Sequence, residues 1–125
     1  MMNKEELLLK ADKFQKYLEE KTGSEPNDLI TRAENLSILI AQSGQCLADA
    51  KYLQDTVING AIMEALKNAY EERLSPSVIN KFVSTAGKEF NYLTNRFDRI
   101  NAAATHQLEG IRSILSYRKA LMSMV

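Results

Sequence analysis

The chain has no tryptophan, one cysteine, one histidine, two prolines and five glycines in 125 residues. Each scarcity removes a class of protein. A lone cysteine excludes an internal disulfide and points to a reducing compartment. One histidine and one cysteine cannot make the usual Cys/His zinc set, so no metal and no cofactor is expected. So few glycines and prolines leave too few tight turns for a sheet protein. No apolar run approaches the ~20 residues needed to span a bilayer. The longest, residues 36–41, is already broken by Ser37. The start, Met1-Met2-Asn3-Lys4-Glu5-Glu6, lacks the basic-then-apolar layout of a signal peptide, so the expected location is cytoplasmic, with no membrane partner. Sixteen basic residues balance sixteen acidic ones. That zero net charge argues against a dedicated polyanion binder and leaves room only for a local patch.

What is present is helix. Hydrophobic residues at 45% and charged residues at 26% match an ordinary folded chain, long enough for one helical-bundle domain over residues 1–125. Ser75-Pro76 separates two stretches, about 27–74 and 77–124, that both read as helix. Serine is a favoured N-cap because its hydroxyl accepts a free backbone N–H. Proline is tolerated in the first turn, where its missing N–H had no partner. The pair therefore marks a helix start and predicts an all-α fold, a long antiparallel hairpin.

A first helix opens at Asn3, with Glu6 three residues on as in a capping box. Leu7, Ala11, Phe14 and Leu18 draw one apolar stripe. Gly23 is the expected left-handed stop, and Ser24 with Pro26 the next start. From Leu29 the pattern is close to a heptad through Ala33, Leu36, Ile40, Ser43, Leu47 and Ala50. It continues as the adjacent pairs Val57/Ile58, Ala61/Ile62, Ala65/Leu66 and Ala69/Tyr70. Asn59-Gly60 joins two poor helix formers and predicts a kink or break. The last stripe runs from Ile79 and Phe82 through Phe90, Leu93, Phe97 and Ile100 to Ile111 and Leu115, with Gly87 and Gly110 as candidate bends. Folding about residue 75 places Gly44, Cys46 and Ala48 opposite His106, Ala104 and Ala102. Either the backbones approach closely there, or the gap admits Phe14 or Tyr17 from the first helix, which favours a three-helix bundle.

Catalysis has little to stand on. His106 lacks an identifiable nucleophile or orienting partner, and Cys46 on an apolar stripe reads as a small core residue. The last helix is more informative. Arg96 and Arg99 are three apart, and Arg112, Arg118 and Lys119 follow with no acid after Glu109. Such residues can hold phosphates, and Tyr117 can stack on an unpaired base. They equally complement the helix dipole. Leu8, Ile30, Ile38 and Ile114 fall at or beyond the stripe edges, where a second subunit would cover them.

Leu74-Ser75-Pro76-Ser77-Val78, Glu89-Phe90-Asn91, Asn95-Arg96, Arg99-Ile100-Asn101 and the run from Thr105-His106-Gln107 to Ser116-Tyr117 resemble small helical proteins of bacteriophages and prophages. The resemblance covers about residues 30–120 and transfers no catalytic residue. It implies a setting near DNA recombination or single-strand binding. It also singles out a polar string, Arg96, Arg99, Asn101, His106, Gln107, Arg112, Ser116 and Tyr117, which Arg118 and Lys119 extend. The function expected is a non-enzymatic, self-associating interaction module acting through a protein partner; the alternative is an accessory nucleic-acid binder using the basic C-terminal helix.

Overall fold

The computed structural model describes residues 1–124. Three helices follow in order: α1 Lys4–Glu19, α2 Pro26–Glu72 and α3 Pro76–Ser123, with no strand among the described residues. The fold is the expected all-α one, a long α2–α3 hairpin with α1 laid against part of it. At about 1.5 Å per residue α2 and α3 are each about 70 Å long, while α1 reaches about 24 Å. The third helix therefore covers only about a third of the hairpin, and this mismatch in length governs the surface described below.

The starts follow the sequence closely. The Asn3 side chain accepts a hydrogen bond from the Glu6 amide at 2.9 Å. Ser75 caps α3 by accepting from the Val78 amide, and Pro76 takes the first helical position. Pro26 likewise opens α2, but the N-cap is Glu25, whose side chain makes no capping bond; Ser24 does not cap.

Several punctuation marks act differently from expectation. Gly23 has no positive φ, and α1 ends earlier, at Glu19, with Glu20 turning into extended backbone at φ −69 and ψ 137. The left-handed residue is instead Arg73, at φ 55 and ψ 47, which ends α2 by donating its amide to the Ala69 carbonyl. Asn59-Gly60 does not break α2, nor do Gly87 and Gly110 break α3. A helix held by packing along its length outweighs a propensity cost of about 1 kcal/mol for one glycine. Gly87 has a packing reason: a Cβ there would meet the end of the Ile58 side chain, Cδ1 at 3.0 Å, so the glycine leaves the space that Ile58 fills.

That contact also fixes the register. Ile58 lies 14 residues before the end of α2, whereas Gly87 lies 11 residues after the start of α3. α2 thus overshoots by almost a turn before Arg73-Leu74-Ser75 reverse the chain. Ser43, rather than a residue near Ala48, meets Asn101, and His106 is exposed rather than facing Gly44. The small-residue pairing expected from a turn centred on residue 75 does not form.

The core fills the part of the hairpin that α1 covers. Leu7, Ala11, Phe14 and Leu18 insert between Leu36, Leu39 and Cys46 of α2 and Leu93, Phe97, Ile100 and Ala104 of α3. Phe14 meets Phe97 edge-on, with ring centroids 6.4 Å apart. The two leucines and Phe14 each contribute about 2 kcal/mol of gross burial, the main force holding α1 in place. Asp12 pairs with Arg96 at 2.6 Å, and Lys4 pairs with Glu89, so α1 runs parallel to α3.

Candidate functional site

Beyond the Lys4–Glu89 pair no third helix covers the hairpin. From about residue 54 to the turn and back to residue 89, α2 and α3 form a two-helix arm. Ala61 and Ala65 are buried there. Their larger neighbours in the adjacent pairs, Ile62 and Leu66, stand outside, together with Met63, Tyr70, Val78 and Phe82. The sequence stripe took each pair as one apolar width. In the structure Ala61 and Ala65 enter the α2–α3 seam and Ile62 and Leu66 are left on the flank, whereas Ile58 of the first pair packs against Gly87. Phe82, expected on the α3 stripe, is 45% exposed for a related reason. It lies seven residues before Glu89 and fourteen before Arg96, the two α3 residues that pair with α1, so it continues the α1-facing line past the point where α1 starts.

The polar string on α3 divides into internal and external residues. Arg96 is tied to Asp12. Asn101 donates to the Ile40 carbonyl and to the Ser43 hydroxyl, both at 3.0 Å, bridging α3 to α2. Gln107 donates through Nε2 to the Leu18 carbonyl at 3.0 Å and accepts from Arg32 Nη2 at 2.9 Å. Arg118 donates to the Ser24 carbonyl at 2.8 Å, holding the α1–α2 connection. These four residues work within the fold. Arg99, His106, Arg112, Ser116, Tyr117 and Lys119 are exposed. His106 Nδ1 sits 3.9 Å from a Glu109 carboxylate oxygen on an open surface.

The exposed members do not form one patch. At about 100° per residue, Arg99, His106 and Tyr117 share an outer face of α3, while Arg112 and Lys119 lie about 120–160° round the axis from it. The spacing of three that placed Arg96 beside Arg99 is real, but Arg96 turns inward to Asp12. What remains on that side is an open pocket of about 300 Å³ lined by Gln15, Tyr92, Asn95, Arg96 and Arg99.

Arg32 is the functional-looking residue that sequence reasoning missed. It is only 6% exposed, its guanidinium lies 4.2 Å from the centroid of the Tyr17 ring, and its Nε has no hydrogen-bond partner. Its signal was present: Arg32 stands seven residues before Leu39 and fourteen before Cys46, on the line that faces α1. A buried cation there joins the end of α1, the start of α2 and the middle of α3 through Leu18 and Gln107, and its arrangement is that of a structural clamp.

Cys46 is 2% exposed, and burial pushes its thiol above its ordinary pKa, against a smaller opposing effect from Lys10. That environment suits a packing residue and disfavours a thiolate at neutral pH. Among the described residues no cluster of His, Cys, Asp and Glu has metal-binding geometry, and no helix is long and apolar enough to cross a membrane. The chain matches no protein-family model, no curated protein and no solved structure.

Proposed function

We propose that this chain is a non-enzymatic interaction module that self-associates and acts through a protein partner, in the cytoplasm and in a phage or bacterial DNA-processing setting. The observation that carries the interaction reading is the two-helix arm. From about residue 54 to the turn no third helix lies over the hairpin, and its flanks present large apolar side chains, among them Leu66 at 56% and Tyr70 at 91% exposure. Apolar residues gathered on one projecting element are the usual mark of a contact surface, whereas single exposed ones are ordinary. The DNA-processing setting rests on the sequence resemblance over about residues 30–120 alone.

The nucleic-acid alternative is narrowed to a smaller footprint. Arg99 beside the 64% exposed Tyr92 and Asn95 offers one cation, one stacking ring and one amide, the elements of a single-strand contact. Arg112 and Lys119 lie too far round α3 to extend it.

Both readings are tested by light-scattering mass across a concentration series, run with an anisotropy titration against labelled single- and double-stranded DNA at low and physiological salt. A mass above that of one chain, without salt-sensitive DNA binding, supports the interaction module. A monomer at every concentration that binds DNA tightly, and loses that binding steeply with salt, would overturn it in favour of the second reading.

A further inference from the structure

The outer face of α2 along the arm is built as half of a two-fold seam, and we propose that a second copy of this chain covers it, α2 against α2 and antiparallel. This deepens the interaction reading above and rests on it. Three observations fix the occupant. First, Leu66 heads an exposed apolar ridge with Ile62 and Tyr70 on its two sides. Ala61 and Ala65 turn towards α3, so this ridge points away from both α3 and α1, and a partner can reach it without displacing either helix.

Second, the ridge is flanked by opposite charges at its two ends. Asp55 lies on one side of it, and Arg73, just past the helix end, closes the other. Both are exposed, and neither has an ion-pair partner among the described residues.

Third, the spacing is self-complementary. Asp55 and Arg73 each stand nine residues from Glu64, while Ile62 and Leu66 each stand two from it. A two-fold axis crossing α2 at the level of residue 64 therefore sets Ile62 opposite the second copy's Leu66, twice, and Asp55 opposite its Arg73, twice. Glu64 itself, about 200° round the helix from Leu66, is turned away from the axis and does not meet its own copy. A parallel seam would set like charges side by side at both ends, so the charge order selects the antiparallel one.

The experiment is sedimentation velocity on the full chain across a concentration series, with helical circular dichroism on each variant to confirm the fold. The wild type should form a species of twice the 14.1 kDa chain mass. Leu66→Glu should remain a monomer. Asp55→Arg and Arg73→Asp should each weaken the dimer about tenfold, since each reversal acts at two symmetric places, and the double reversal should restore it. A dimer that survives Leu66→Glu, or a double reversal no better than the singles, would overturn the seam while leaving self-association standing. A wild type that stays monomeric throughout would overturn the seam and the self-association reading together.

Discussion

The Arg32–Gln107–Leu18 clamp yields a prediction in which removing a second group restores stability lost with the first. Gln107→Leu deletes the acceptor at 2.9 Å from Arg32 Nη2 and the donor at 3.0 Å from the Leu18 carbonyl. The guanidinium then keeps only a 3.4 Å contact to Leu18, with Nε already unpaired. A buried cation stripped of its best acceptor, plus a carbonyl stripped of the shorter of its two donors, should cost about 3 kcal/mol. Arg32→Met alone removes the cation together with its burial penalty. It forfeits about 1 kcal/mol of stacking on Tyr17 and one charge-assisted bond, so the net change should stay within about 1 kcal/mol. The double variant leaves only the Leu18 carbonyl unpaired, at about 1–2 kcal/mol. The double should thus be more stable than Gln107→Leu by at least about 1 kcal/mol, a coupling measurable in a urea-unfolding cycle read by helical circular dichroism. Losses that simply add would refute the clamp as the unit joining the three helices.

Other consequences concern the glycines, the thiol and the ion pair that anchors α1. Gly60 and Gly110 have open space where a Cβ would stand, so alanine at either should raise stability by about 1 kcal/mol. Gly87→Ala should gain less or lose, because its Cβ would meet the Ile58 side chain at 3.0 Å; equal gains at all three in urea melts would contradict the packing of Ile58 on Gly87. Cys46 should react with a thiol reagent only slowly until denaturant is added. Its pKa is raised on folding, so its contribution to stability is complete below the ordinary thiol pKa and is lost as pH climbs through the raised value. Cys46→Ala should accordingly flatten the decline in stability above about pH 9, and an unchanged alkaline slope would count against a buried thiol. Asp12→Asn should cost no more than about 1 kcal/mol, because Asp12 is largely exposed, and less at high salt; a large, salt-independent loss would mean that α1 depends on the pair rather than on its apolar stripe.

Much of the architecture was legible because it is written in local signals. Asn3, Pro26 and Ser75-Pro76 mark helix starts through backbone chemistry that neighbours do not alter, and the stripe Leu7, Ala11, Phe14, Leu18 is buried as read. What depends on two elements at once was not legible. The overshoot of α2 past α3, and the left-handed Arg73 that permits it, follow from where two long helices find contact. No residue near the turn announces it. Gly23 looked like a helix stop, yet α1 had already ended at Glu19. On α3 the arginines could be counted but not oriented. Arg96 and Arg118 turn inward because Asp12 and the Ser24 carbonyl happen to face them. Asn101 and Gln107 read from the sequence as part of a polar surface, and the structure uses them between helices. Arg32, like Ser43, stands on an apolar line, and that position is the signal of its burial.

The most direct test of the account is hydrogen exchange measured at several protein concentrations. If the arm is a contact element beyond the reach of α1, amides at 54–70 and 78–88 should exchange faster in dilute solution than those at 36–50 and 93–108. Protection in the arm should then rise with concentration while the covered core stays unchanged. Equal protection of arm and core in the most dilute sample, or an arm whose protection never responds to concentration, would contradict it.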